Sequence, residues 1–323
     1  MVMKCKEFWQ LIMPADKPRV DDGFSRKPLR EIKRWIEGEL LGAGVEPAEA
    51  VFEPSLIIEK ATEWALARQV LEEMTPLNGE QLECVRRIVA MRKVRLPLQY
   101  CLGEAGFMGL RLSVRTGVFI PRPETETLVE VASRWLEKCS RPSAAAAEEQ
   151  QNAATERLLE IGVGAGPVSI ALLKRFPCLR ITAVDLNPAA IALAHDNAAC
   201  HGVLSRLELI ESSWEDLDAL CFDAVVSNPP YIPARKAGSL QAEVELWEPA
   251  AALWGSDPDG IGFYRRFAET GRALLKSGGF VAFEVDDHAA QSVVEIFGSG
   301  SWSDMKVGRD LSGVPRVFSC IAA

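Results

Sequence analysis

The stretch Leu158-Leu159-Glu160-Ile161-Gly162-Val163-Gly164-Ala165-Gly166 decides the fold of this 323-residue chain. Its first four residues have the apolar character of a buried parallel strand. The glycines that follow let the backbone turn sharply and approach a ligand at the start of a helix. Their spacing, Gly-x-Gly-x-Gly, differs from the Gly-x-Gly-x-x-Gly of dinucleotide sites. The same residues also fit a tight strand-to-helix turn that binds nothing.

The pattern after residue 157 alternates between strands and helices. Such alternation predicts an α/β fold with a doubly wound, mainly parallel, Rossmann-like sheet. The last stretch, 303–321, is predicted to add a hairpin at the sheet edge. Strands are expected at residues 158–161, 181–184, 207–210, 224–226 and 279–283, and helices at 168–175, 188–200, 260–275 and 288–297.

Three acidic or aromatic residues stand close to predicted strand ends. Asp185 ends the second strand, where an acid is placed to hold the two hydroxyls of a ribose; the run 185–188 also fits a helix cap with proline in the first turn. Glu160 is positioned to bind the ammonium of an amino-acid group. Trp214 follows the third strand and is placed near where an adenine would lie, and a core tryptophan is the competing interpretation.

The tetrapeptide Asn228-Pro229-Pro230-Tyr231 follows an apolar run and therefore lies at the carboxyl end of a strand. The side-chain oxygen of Asn228 can accept one N–H of a planar –NH2 group, and the carbonyl of Pro229 can accept the other. Neither proline has an N–H that would compete. Tyr231 offers a flat face to stack on the substrate. A turn that merely ends the strand is the alternative.

The chain is predicted to divide near residue 100. Residues 1–100 form a small helical domain, with helices at 29–41, 55–74 and 79–94 and with Pro47, Pro54 and Pro76 as breaks. Residues 101–156 hold a hairpin within 107–120 around Thr116-Gly117, a helix at 124–139 and a low-complexity loop or frayed helix end at 141–157. Residues 157–323 form the α/β domain.

Composition limits the function classes. The chain has 36 basic and 45 acidic residues, a net charge of −9, which argues against direct nucleic-acid binding. No apolar run is long enough to span a membrane, and the first ten residues contain no secretory or transit signature. Eight scattered cysteines indicate free thiols in a reducing compartment, and the three histidines predict no metal site.

The glycine loop, Asp185, Trp214 and the tetrapeptide, in this order, resemble a class I S-adenosylmethionine-dependent methyltransferase. More specifically, the chain is similar to the HemK/PrmC family of protein-(glutamine-N5) methyltransferases that modify peptide-chain release factors. The resemblance covers most of the chain, and its motifs outside the tetrapeptide are Arg95-Leu96-Pro97-Leu98-Gln99-Tyr100 with Gly103 and Phe107, Ile120-Pro121-Arg122-Pro123-Glu124-Thr125-Glu126, Glu248-Pro249, Asp259-Gly260, Gly278-Gly279, Glu284, and Asp310-Leu311 with Arg316.

This resemblance implies a cofactor, a substrate and a set of site residues. The cofactor is S-adenosylmethionine, and the substrate is the glutamine of the Gly-Gly-Gln motif in a class I release factor, gripped by the helical domain. The catalytic residues are Asn228, Pro229, Pro230 and Tyr231. The cofactor-binding residues are Glu160, Gly162, Val163, Gly164, Ala165, Gly166, Asp185, Trp214 and Asn228, and a monomer is expected.

One departure from the family pattern bears on the compartment. Glu284-Val285-Asp286 stands where many bacterial relatives have glycine in third place. This variant resembles the eukaryotic, organellar branch, which favours the mitochondrion, with the cytoplasm as the alternative. Rival functions are an adenine-N6 DNA or RNA methyltransferase, a ribosomal-protein methyltransferase and a non-catalytic cofactor-binding scaffold.

Overall fold

The computed structural model describes residues 26–139, 156–218, 222–298 and 300–323. They fold into two compact units. The first comprises the described residues up to Gly103 together with Ala242–Trp247, and the second comprises those of Glu104–Gln241 and Glu248–Ala323. In the described part of the chain, no helix is long and apolar enough to cross a membrane.

The helices are numbered in chain order. Their bounds are α1 (Leu29–Gly42), α2 (Pro47–Thr62), α3 (Leu66–Leu71), α4 (Gly79–Lys93), α5 (Leu98–Leu102), α6 (Glu126–Cys139), α7 (Pro167–Arg175), α8 (Pro188–Cys200), α9 (Ala242–Trp247), α10 (Ala250–Leu253), α11 (Gly262–Thr270) and α12 (Ala290–Gly298). The first five and α9 belong to the helical unit.

The strands form two sheets, both in the second unit. A two-stranded antiparallel sheet pairs β1 (Glu104–Phe107) with β2 (Leu110–Ser113). The large sheet has the order β5-β4-β3-β6-β7-β9-β8, and only its β7–β9 and β9–β8 pairs are antiparallel. Its strands are β3 (Arg157–Ile161), β4 (Arg180–Asp185), β5 (Leu207–Glu211), β6 (Phe222–Ser227), β7 (Leu275–Glu284), β8 (Trp302–Arg309) and β9 (Pro315–Ala322).

This topology confirms the predicted class I methyltransferase fold: all five predicted strands and the terminal hairpin are present. Apolar residues on both faces of the large sheet explain why its strands are nearly continuous apolar runs. Leu158, Ala224 and Val226 face one buried cluster. Leu159 and Val225 face the other, which α11 and α12 cover.

The hairpin predicted around Thr116-Gly117 is wrong. The structure places the turn earlier, at Met108-Gly109, between β1 and β2. Met108 (φ 49°) and Gly109 (φ 73°) both adopt left-handed backbone conformations, as a tight two-residue hairpin turn requires. The low-complexity stretch predicted at 141–157 lies outside the described residues except at its last two positions.

The helix predicted at 55–74 is also wrong, because the structure has two helices there, α2 and α3. Pro54 was expected to be a break but lies buried inside α2. The actual break is Glu63, whose left-handed φ of 59° ends α2. Helix formation around Pro54 therefore depends on packing, which a local pattern does not reveal.

Shorter differences occur at helix ends. The helix predicted at 124–139 begins as a 3-10 turn, Pro123–Thr125, before α6. The one predicted at 260–275 is α11 followed by a 3-10 turn, Gly271–Leu274. Tight turns of this kind are common at helix termini.

Arg92 is the largest buried side chain of the helical unit, with 1% of its surface exposed. Its Nε and Nη2 donate to the two carboxylate oxygens of Glu53 at 2.8 and 2.7 Å, and its Nη1 donates to Glu243 of α9 at 3.2 Å. Arg95 Nη2 lies 2.5 Å from the other oxygen of Glu243. This ion-pair network holds α9 within the helical unit although α9 is far away in sequence.

We predict that Arg92→Ala lowers the free energy of unfolding by about 3–5 kcal/mol, because it leaves the buried Glu53 carboxylate without its partner. The matched control is Arg87→Ala on the exposed side of the same helix, which should change it by less than about 0.5 kcal/mol. Urea unfolding followed by circular dichroism measures both. Equal midpoints for the two variants would contradict the prediction.

Candidate active site

The carboxyl ends of β3, β4 and β6 meet at one edge of the large sheet. Ile161, which ends β3, pairs with Val184 of β4 on one side and Ser227 of β6 on the other. The Ser227 hydroxyl donates to the carbonyl oxygen of Ile161 at 2.8 Å, which joins these strand ends below the loops. The segments that follow the three strands are therefore brought side by side.

A cavity of about 640 Å³ opens at this edge. The structure places ten of the twelve predicted site residues in its wall: Glu160, Gly162, Val163, Gly164, Ala165, Asp185, Trp214, Asn228, Pro229 and Pro230. The remaining two, Gly166 and Tyr231, are absent from the described lining residues. Val118, Phe119 and Phe263 add apolar surface.

The three glycines of the loop have different roles. All have left-handed backbone, with φ of 77° at Gly162, 54° at Gly164 and 83° at Gly166. A Cβ at Gly166 would lie 3.1 Å from the Ile170 side chain and 3.4 Å from Ala194 Cβ. Gly166 thus allows the close packing of α7 against α8, whereas Gly162 and Gly164 border the cavity.

Asp185 ends β4 and fixes the glycine loop. Its two carboxylate oxygens accept hydrogen bonds from the backbone N–H groups of Gly164 and Asn187, each at 2.9 Å. Burial raises the pKa of Asp185, and these backbone donors oppose the rise. The cap of α8 is Asn187, whose Oδ1 accepts from Ala189 N at 3.0 Å. The cap of the helix is therefore Asn187 and not Asp185, although both residues lie in the cavity wall.

Glu160 is a buried carboxyl at the base of the cavity, 3% exposed. It accepts hydrogen bonds from the backbone N–H of Ser169, at 3.0 Å, and from the Ser169 hydroxyl. Burial raises the pKa of Glu160 to about 8, against the effect of these two donors. A cation that enters the cavity would lower the pKa of Glu160 again and favour its ionised form.

Trp214 belongs to the aromatic core and also lines the cavity. It is 9% exposed, and its ring centroid lies 5.3 Å from that of Phe267 in the aromatic core. It also forms part of the cavity wall beside Phe263. The site is thus built directly on the core that lies beneath α11.

The tetrapeptide begins directly after β6. Asn228 Nδ2 donates to the hydroxyl of Thr125 at 3.0 Å, so its Oδ1 is the end of the amide that is left to accept. The Tyr231 hydroxyl donates to Glu284 Oε1 at 3.0 Å. Thr125 and Glu284 were not predicted as site residues, although each stands in a family motif; a contact across 103 positions is invisible in a single sequence.

The loop that carries Thr125 is held by Glu248. Both Ile120 N, at 3.3 Å, and the Arg122 guanidinium donate to its carboxylate. Burial raises the pKa of Glu248, and Arg122 opposes the rise. Two motifs that are far apart in sequence, residues 120–126 and Glu248-Pro249, therefore form one structural element beside the cavity.

One surface group in the described part of the chain, Asp286, Asp287 and His288, brings three possible metal-binding atoms within 4.8 Å of one another. Asp286 is already paired with Lys236 at 3.1 Å. The absence of a metal stays a prediction. The six cysteines of the described residues, Cys84, Cys101, Cys139, Cys178, Cys200 and Cys320, are free thiols.

Gly260 packs directly against the backbone of the tetrapeptide. It has a left-handed φ of 78°, and a Cβ there would lie 2.3 Å from the carbonyl oxygen of Tyr231. Gly238 has nearly the same φ, 79°, but a Cβ there would have no neighbour within 4 Å. A substitution at Gly238 therefore tests backbone strain alone, whereas one at Gly260 adds a steric clash.

We predict that Gly238→Ala costs about 1 kcal/mol of unfolding free energy, because only the left-handed backbone is penalised. Gly260→Ala should cost about 1–3 kcal/mol more, since the methyl group displaces the carbonyl of Tyr231. Chemical denaturation of both variants measures the difference. Identical losses would show that the close approach to Tyr231 has no energetic weight.

Comparison with known proteins gives two family matches along the chain. Residues 31–103 match the PrmC N-terminal domain, and residues 138–253 match the methyltransferase small domain. The first match covers most of the helical unit. The second contains the glycine loop, Asp185, Trp214 and the tetrapeptide.

Two bacterial relatives align over nearly their whole length, and a human relative aligns over less of its length. A release factor glutamine methyltransferase of Geobacter sulfurreducens is 37% identical over 298 residues, which cover 90% of this chain and 95% of that protein. One from Chlorobaculum tepidum is 35% identical, covering 90% and 99%. The human MTRF1L release factor glutamine methyltransferase is 36% identical, covering 75% and 72%. On this evidence the chain belongs to the release factor glutamine methyltransferase family, the HemK/PrmC family.

Proposed function

We propose that this protein transfers the methyl group of S-adenosylmethionine to the side-chain amide nitrogen (N5) of the glutamine in the Gly-Gly-Gln motif of class I peptide-chain release factors. One observation carries the proposal. Asn228 turns its –NH2 toward Thr125, which leaves its carbonyl oxygen to accept, in the same cavity as Asp185 and the glycine loop. Near full-length similarity to release factor glutamine methyltransferases supports the same function.

The side chains of the cavity fit S-adenosylmethionine. Asp185 would hold the ribose hydroxyls, Glu160 the ammonium of the methionine portion, and Trp214 with Phe263 the adenine ring. The backbone of Gly162 and Gly164 permits close approach, because neither position has a side chain. When bound, the cofactor supplies a strongly electrophilic methyl group on its sulfonium.

Asn228 and Pro229 act on the glutamine. An amide nitrogen is a weak nucleophile because its lone pair is delocalised into the neighbouring carbonyl. Two hydrogen bonds, one accepted by Asn228 Oδ1 and one by the Pro229 carbonyl, would orient the –NH2 group and raise its electron density. Pro230, which lies in the cavity wall, would complete the pocket for the glutamine, and Tyr231 follows it with its hydroxyl bonded to Glu284.

The chain needs no strong base for this reaction. Holding the amide nitrogen in line with the methyl group contributes the proximity part of catalysis. Fixed acceptors stabilise the positive charge that develops on nitrogen as the bond forms. The proton leaves after the methyl transfer, when the nitrogen is far more acidic.

Glu160 gives cofactor binding a pH dependence of known sign. An ionised carboxylate binds an ammonium more tightly than a neutral carboxyl does, and the pKa of Glu160 in the free protein is about 8. Affinity for S-adenosylhomocysteine, which keeps the ammonium, should therefore rise from about pH 6 to about pH 8.

We predict that Glu160→Gln lowers the affinity for S-adenosylhomocysteine by about tenfold or more. The variant should also lose the rise of this affinity with pH, since the amide cannot ionise. The matched control is Glu211→Gln at the exposed end of β5. Isothermal titration calorimetry at several pH values measures both variants. A Glu160→Gln protein that keeps the wild-type pH dependence would exclude the ammonium role.

We predict that Asn228→Ala abolishes methyl transfer, lowering kcat by about 100-fold or more, while leaving cofactor affinity measurable. The assay uses labelled S-adenosylmethionine with a purified class I release factor. The control substrate is the same factor with its Gly-Gly-Gln glutamine changed to alanine, which should take no label. A near-normal rate for Asn228→Ala, or equal label on both substrates, would refute the proposed role.

The rival functions make different predictions in the same assay. An adenine-N6 or ribosomal-protein methyltransferase would label DNA, RNA or ribosomes and not the release factor. A scaffold would bind the cofactor and label nothing. The net charge of −9 and the near full-length family match favour the release factor.

Compartment and assembly belong to the same proposal. The Glu284-Val285-Asp286 variant resembles the organellar branch of the family, and the human relative is 36% identical. We therefore assign the protein to the mitochondrion and expect a monomer that binds neither nucleic acid nor membrane. A fluorescent fusion of the full chain, viewed with a mitochondrial marker, checks the compartment.

A further inference from the structure

Thr125 is a buried residue whose hydroxyl faces the catalytic asparagine. It ends the 3-10 turn Pro123–Thr125, is 3% exposed and lies in the cavity wall. Its Oγ accepts a hydrogen bond from Asn228 Nδ2 at 3.0 Å. A hydroxyl has only one proton, so the direction of this bond depends on where that proton goes.

Glu284 provides the destination for that proton. It ends β7 and is 1% exposed. Its Oε1 accepts from the Tyr231 hydroxyl at 3.0 Å, whereas its Oε2 is buried without a hydrogen-bond partner among the described residues. Thr125 is among the groups that lower the pKa of Glu284, and its hydroxyl proton would supply the donor that Oε2 lacks.

These contacts place one carboxylate behind both ends of the tetrapeptide. Tyr231 donates to it directly, and Thr125, which accepts from Asn228, has a proton of its own that it can donate to the unpartnered Oε2. An ionised carboxylate can only accept, so a Thr125 hydroxyl that turns toward it has to donate. Thr125 is then left with lone pairs alone, and only the –NH2 end of Asn228 can face it.

We propose that Glu284, acting through Thr125, is the positioning residue that keeps the Asn228 carbonyl oxygen directed toward the substrate. The inference rests on the proposed function and goes beyond it by assigning the group that sets the orientation of Asn228. A planar amide has two nearly isosteric ends, and its shape alone does not select one. In the proposed arrangement Asn228 donates to Thr125, Thr125 donates to Glu284, and this fixed order of donors selects one end of the amide.

Protonation of Glu284 reverses this selection. A neutral carboxyl donates as well as accepts, so Thr125 becomes free to donate to Asn228, and the amide can turn its –NH2 toward the substrate. Burial raises the pKa of Glu284 to about 7. The Thr125 and Tyr231 hydroxyls and Arg316 oppose the rise, and Glu124 adds to it.

The other groups near Glu284 do not reverse the upward shift of its pKa. The Tyr264 hydroxyl donates to the backbone carbonyl of Glu284 at 2.7 Å, and Asp286 acts on the same tyrosine pair. The active form is the ionised one. Turnover should therefore be full above about pH 7 and fall as pH decreases through the pKa of Glu284.

The test compares Thr125→Val and Thr125→Ser in the release-factor assay. Valine removes the hydroxyl at nearly constant shape, so kcat should fall at least about tenfold while cofactor affinity is unchanged. Serine keeps the hydroxyl and should restore most of the rate. The control is Ser133→Ala, which removes a buried hydroxyl that has no partner among the described residues.

The pH profile separates positioning from simple packing. Wild type should lose kcat as pH falls through about 7, and Glu284→Gln should have a lower kcat without that step. Thermal melting of each variant verifies folding. If Glu284→Gln does not fold, the kcat of Thr125→Val alone tests the positioning role. A Thr125→Val enzyme with full kcat, or an unchanged pH step in Glu284→Gln, overturns the positioning role alone. A wild type without transfer to the release factor overturns the proposed function and the positioning role together.

Discussion

Parallel pairing of β3 with both β4 and β6 is the constraint on which the site depends. Because β3 lies between the other two, the glycine loop, Asp185 and Asn228 emerge at one edge of the sheet. The Ser227 hydroxyl joins the ends of β3 and β6 beneath that edge. A slip of one residue in either pairing would reverse the faces of the strand and remove these side chains from a common cavity.

Burial of acidic groups is the second feature of the site. Glu160, Asp185 and Glu284 all have a raised pKa, and desolvation is the main cause in each case. Each carboxyl is also provided with donors: Ser169, the loop backbone and Tyr231, respectively. The protein keeps these carboxyls largely buried, where their interactions with a charged cofactor and a polar amide are stronger than in water.

The sequence predicted the sheet well and the contacts between its loops poorly. Apolar runs and glycine spacing identify β3, β4 and β6 because those signals are local. The hairpin was misplaced since the left-handed Met108-Gly109 turn has no strong turn signature, and Pro54 was misjudged because burial holds it inside α2. Arg92, Thr125 and Glu284 gain their roles only through partners far away in the chain.

Tandem mass spectrometry of the release factor after reaction tests the central claim most directly. The account predicts one added methyl group, located on the side-chain amide of the Gly-Gly-Gln glutamine, and none after reaction with Asn228→Ala. A methyl group on another residue, or on the same glutamine at an undiminished level with Asn228→Ala, would contradict the account.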